Sequence, residues 1–89
     1  ILTIGEYVMG KNCQAIVMEI VEGALELDAG VVQASSNSES IAEWDSLGQL
    51  SILVALDRRF DGKVAGLSEM AEANSIQIMQ EILKKHSIC

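Results

Sequence analysis

The most informative stretch of this chain is DSLGQLSILVALDRRF, residues 45–60. Asp45 is a residue type that caps helix N-termini, and Asp61-Gly62 is a typical stop signal. The stretch therefore predicts a helix over 46–60. Its apolar residues cover more than one narrow stripe, which predicts a central helix that contacts several neighbours. These residues are Leu47, Leu50, Ile52, Leu53, Val54, Leu56 and Phe60.

Helical periodicity also occurs on both sides of this stretch. Asn12 is a suitable N-cap for a first helix, and Gln77 follows Asn74 at the spacing of a capping box before a last helix. The sequence predicts an all-α single domain spanning residues 1–89, with three main helices and a short third one. The expected helices cover about residues 12–27, 46–60, 67–73 and 75–86, with a long loop over 28–45.

The loop over 28–45 contains glycine, asparagine and several serines, and it shows no regular periodicity. Its expected anchors in the core are Val31, Val32 and Ile41. Loops longer than roughly 12 to 15 residues are uncommon in compact domains and are often functional, so this one requires an explanation. Trp44, at its end, is expected either to pack over that helix start or to contact a partner.

Composition excludes several classes of function. The chain has 89 residues, with 6 Lys and Arg against 13 Asp and Glu and a net charge of −7. Nucleic acid is an unsuitable partner because phosphate binding requires clustered cations. No apolar run reaches the ~20 residues of a membrane span. Cys13 and Cys89 have neither metal-site spacing nor the density of a disulfide scaffold. We expect a reducing compartment, and hence free thiols, together with a cytoplasmic location and a monomer.

Ser46 is the main candidate for chemistry. It directly follows the Asp45 cap and occupies the first helical position, where unpaired backbone N–H groups and the helix dipole favour an attached phosphate. On these residues alone, a simple helix cap followed by a small polar residue remains an alternative. No catalytic set and no metal site are expected, because the chain offers a single histidine and no nucleophile with a matching base.

The run over residues 45–60 resembles the signature of acyl and peptidyl carrier proteins. The resemblance implies a small four-helix bundle of the acyl-carrier type, in which Ser46 is esterified by 4′-phosphopantetheine from coenzyme A. It implies that Asp45 helps to organise metal and coenzyme A during attachment. It also implies that Leu47 flanks the arm and meets partner enzymes, and that Gly48 allows their close approach. The protein would be a phosphoprotein without enzymatic activity, carrying an acyl or aminoacyl group as a thioester.

The implied partners are a phosphopantetheinyl transferase, a ligase that loads the acyl or aminoacyl group, and downstream acyl-transferring enzymes. Carriers of fatty acid synthesis usually have acidic residues along the second helix, where this chain has Gly48, Ser51, Arg58 and Arg59. That departure favours a specialised biosynthetic pathway. Two alternatives remain: a peptidyl carrier of a nonribosomal peptide system, and an unmodified helical protein-interaction module.

Overall fold

The computed structural model describes residues 12–89, and every regular element in this range is helical. The predicted all-α class is confirmed for these residues. Each observed helix lies inside its expected range, and residues 1–11, which belong to the expected domain, lie outside the described residues. The elements are α1 (Cys13–Ala24), α2 (Ser46–Arg59), a 3-10 helix (Ser68–Glu72) and α3 (Ile76–Lys85). No helix within residues 12–89 is long and apolar enough to cross a membrane.

The core lies where α1 packs against both α2 and α3, and the 3-10 helix closes the side between α2 and α3. Its side chains are mainly aliphatic, with two methionines filling space, so burial of apolar surface is the main source of stability. Trp44 is the one large aromatic side chain in it among the described residues. The most deeply buried large side chains are Ile52, Leu56, Met70, Ile76, Met79 and Leu83.

Each α-helix begins at a side-chain cap. Asn12 Oδ1 accepts a hydrogen bond from the Ala15 N–H at 2.8 Å. In α3 the cap is Ser75, whose Oγ accepts from the Ile78 N–H at 3.1 Å. The predicted capping box between Asn74 and Gln77 is wrong. Because the helix starts one residue later, the Gln77 amide instead donates to Glu81, one turn along the helix, at 3.3 Å.

The loop between α1 and α2 is held in place by polar contacts. Glu22 Oε2 accepts hydrogen bonds from the N–H groups of Gly30 and Val32, at 2.9 and 3.2 Å. Further along, Asn37 pairs with Ser75 in an isolated antiparallel bridge, which joins the loop to the start of α3. Of the expected anchors, Val32 and Ile41 are buried, but Val31 is 48% exposed. The prediction for Val31 is wrong, since its neighbour Val32 fills the core.

The prediction of free thiols is also wrong, because Cys13 and Cys89 form a disulfide with their Cα atoms 5.5 Å apart. The two residues are 76 positions apart in sequence, so spacing gave no sign of the pair. The end of the chain turns back after α3, where the Ile88 N–H donates to the Leu83 carbonyl at 2.8 Å. That turn brings Cys89 to the start of α1.

Candidate functional site

Ser46 opens α2 and is exposed. The helix start is fixed by Asp45, whose Oδ1 accepts a hydrogen bond from the Gly48 N–H at 2.9 Å. The N–H groups of Ser46 and Leu47 lie in the first turn, where the helix offers no acceptor, and they have no partner within residues 12–89. An accessible hydroxyl thus stands beside unpaired donors at the positive end of a helix dipole. A phosphate attached to that hydroxyl would be stabilised there.

A polar cleft of about 490 Å³ lies beside Ser46. Ser38 contributes from the loop, Glu72 from the 3-10 helix, and Asn74 from the segment before α3. These segments converge on the start of α2 because the bridge between Asn37 and Ser75 holds the loop against α3. The cleft therefore surrounds the serine with hydroxyl, amide and carboxylate groups that could bind the polar part of an attached group.

Trp44 packs inside the protein, so the first of its two expected roles is confirmed. It is only 3% exposed, and its Nε1 donates to Gln49 Oε1 at 2.6 Å. The Gln49 amide nitrogen in turn donates to the carbonyls of Ala71, in the 3-10 helix, and Ala73, at 3.3 and 2.9 Å. Sequence reasoning missed Gln49, which links the loop, α2 and the 3-10 helix. A glutamine four residues after a helix cap gives no signal of such a role.

Gly48 allows close packing inside the protein, so the expectation that it lets partners approach is wrong. It is buried, and a Cβ atom built on it would collide with the backbone carbonyl of Glu43 and lie 2.9 Å from Leu25 Cδ2. The loop therefore passes directly over the first turn of α2. Only a residue without a side chain fits at this crossing.

One face of α2 is not covered by the described part of the chain. Leu47, Leu50 and Val54 are 76%, 57% and 46% exposed, respectively. Their spacing of three and four residues aligns them along the helix, and we call these three residues the α2 stripe. Only Gly48, Ile52 and Leu56 of α2 are fully buried. The apolar set predicted a helix with several neighbours, and α2 contacts α1 and the 3-10 helix, but its remaining side is left open by residues 12–89.

The 3-10 helix is held by charged groups at the far end of α3. His86 Nε2 lies 2.5 Å from Glu69 Oε2, and Lys85 Nζ lies 3.3 Å from Glu69 Oε1. The hydrogen bond from His86, followed by that from Lys85, lowers the pKa of Glu69 below its ordinary value of 4.5. These groups stabilise the element that lines the cleft.

Within residues 12–89 no three His, Cys, Asp or Glu side chains are grouped so that they could hold a metal ion.

Comparison of the chain with protein-family models, with curated proteins and with solved structures found no match.

Proposed function

We propose that this protein is an acyl carrier: Ser46 is esterified by 4′-phosphopantetheine, and the arm's thiol holds an acyl or aminoacyl group as a thioester. The observation that carries the proposal is the exposed Ser46 hydroxyl at the capped start of α2, beside unpaired N–H groups and a polar cleft. Attachment forms a bond between Ser46 Oγ and phosphorus and breaks the diphosphate link of coenzyme A, so that adenosine 3′,5′-bisphosphate leaves and the serine proton passes to the transferase. The chain performs no further bond chemistry.

The fold part of the proposal is a four-helix bundle of the acyl-carrier type. It is supported by the order of three α-helices and one short helix, and by the long connection that precedes Ser46. In this proposal Asp45 holds the helix start and helps to position coenzyme A and its metal, while the exposed Leu47 flanks the arm. The carrier works as a monomer in a specialised biosynthetic pathway, between a loading ligase and downstream acyl-transferring enzymes.

The first experiment measures the intact mass after incubation with coenzyme A and a broad-specificity phosphopantetheinyl transferase. We expect a gain of one phosphopantetheine in the wild-type protein and none in Ser46→Ala. Ser51→Ala is a matched control, because Ser51 is also an exposed serine of α2 but lies away from the helix start. It should be modified normally. Folded wild-type protein that gains no mass with several transferases would contradict the proposal and favour a helical interaction module.

A loading experiment then distinguishes an acyl carrier from a peptidyl carrier. The modified protein is incubated with ATP and either acyl-activating or amino acid-adenylating ligases, and the product is weighed. An acyl thioester supports the acyl carrier, whereas an aminoacyl thioester formed only by an adenylating enzyme of peptide synthesis identifies a peptidyl carrier.

A further inference from the structure

The α2 stripe borders a groove of about 730 Å³ between α1 and α2. Leu50 and Val54 line it from α2, and Ile20 and Ala24 line it from α1. The groove is open to water and its wall is mainly apolar, so its chemistry suits the apolar face of a partner helix. The stripe starts next to Ser46 and follows α2 towards its C-terminal end.

That end carries unpaired positive charge. Arg58 and Arg59 both line the groove, and neither has a carboxylate within ion-pair distance in residues 12–89. Arg59 instead lies over the Phe60 ring, 5.6 Å from its centroid. The helix dipole favours cations at this position but leaves their hydrogen-bond donors free for a ligand.

The only acid within α2 faces another segment. Asp57 Oδ1 accepts hydrogen bonds from the N–H groups of Val64 and Ala65, at 3.1 and 2.7 Å. Among the groove-lining residues the one carboxylate is Glu19, on the α1 wall. The exposed face of α2 is therefore apolar and basic, on a protein whose net charge is −7.

We propose that this face is the docking surface for a partner protein that presents an apolar helix flanked by carboxylates, which pair with Arg58 and Arg59. Charge complementarity selects this occupant. An anionic membrane or a nucleic acid would be repelled by the net charge of the whole protein. The proposal does not depend on modification of Ser46, since the stripe and the arginines are present in the unmodified chain.

Two synthetic amphipathic helical peptides with the same leucine stripe test the proposal, one flanked by glutamates and the other by lysines. Each is labelled and titrated with the 89-residue protein at low salt. We expect the glutamate peptide to bind about fivefold more tightly, with a preference that decreases as salt screens the pairs. Amide chemical-shift changes should map to α2 and the facing side of α1.

Charge-reversed variants make the test specific. Arg58→Glu combined with Arg59→Glu should reverse the preference, so that the lysine peptide binds more tightly. Lys63→Glu combined with Lys84→Glu changes net charge equally but lies outside the groove, and it should keep the original preference. Leu50→Ser should weaken both peptides.

Ser46→Ala should bind both peptides as the wild type does, so this result and the result of the modification experiment can be distinguished. Equal or tighter binding of the lysine peptide by the wild type would overturn the proposal. So would self-association of the protein through this face, seen as a concentration-dependent mass in sedimentation equilibrium that Leu50→Ser abolishes. In that case the occupant is a second copy.

Discussion

At the scale of single residues, the start of α2 depends on a close approach between loop and helix. Gly48 permits the Glu43 carbonyl to cross the helix, and its own N–H is held by Asp45. Gln49 then joins the loop tryptophan to the 3-10 helix. Ser46 thus lies at the surface, while Gly48 and Gln49 are held by contacts inside the protein.

Gly48→Ala tests this crossing. The added methyl group would meet the backbone carbonyl of Glu43, which cannot rotate away as a side chain would. We expect the free energy of unfolding to fall by about 1 to 3 kcal/mol, as for overpacked sites. Gly23→Ala is the control, because a methyl group there would point into open space and alanine favours helix. Urea unfolding of both variants measures the difference in stability. Equal unfolding midpoints would contradict the close approach of the Glu43 carbonyl to Gly48.

At the scale of elements, the 3-10 helix is the one that needs tertiary support. It has only five residues, and segments this short are not stable as isolated helices. Its support comes from the buried Met70 side chain, from the Gln49 amide and from the contacts of Lys85 and His86 with Glu69. Because Glu72 of this helix lines the cleft, these contacts also determine the shape of the surroundings of Ser46.

Glu69→Gln should make stability less dependent on pH. The pKa of Glu69 is lowered in the folded state, so the charged carboxylate stabilises the protein when the pH is above 4.5, the ordinary pKa of the group. This contribution is lost as the pH falls through the folded-state pKa. We expect a Tm decrease on the order of 2 °C at pH 6, typical of an exposed pair, which shrinks below pH 4.5. Glu72→Gln, on the same helix, should show no such pattern. A Tm difference independent of pH would refute the ion-pair explanation.

At the scale of the whole molecule, the disulfide joins the start of α1 to the end of the chain. Every described helix lies between the two cysteines. Closing so long a loop reduces the conformational freedom of the unfolded chain more than that of the folded one. The cross-link therefore stabilises the arrangement of α1 and α3 as a unit rather than any single helix.

Cys89→Ser should lower the free energy of unfolding by roughly 4 kcal/mol, the chain-entropy estimate for a loop of this length. Urea unfolding without reductant measures the difference, and added reductant should lower the wild-type midpoint to that of the variant. The variant itself should not respond to reductant. Alkylation of native protein should find no free thiol. A wild-type midpoint that is insensitive to reductant would contradict a stabilising cross-link.

The local sequence was sufficient for the helices and for Ser46 as the candidate site. Asn12 and Asp45 supply caps, and apolar periodicity over three and four residues specifies helix length, since both act within a few residues. These signals could not reveal which sides of α2 would be covered, because that depends on how the other helices pack against it.

Contacts between distant residues were decided only by the tertiary structure. The pair Cys13 and Cys89, the bridge from Gln49 to the Ala73 carbonyl, and the passage of Glu43 over Gly48 all depend on how the helices pack. The physical reason is range: capping and periodicity act along one helix, whereas these contacts require segments that meet only after the chain has folded.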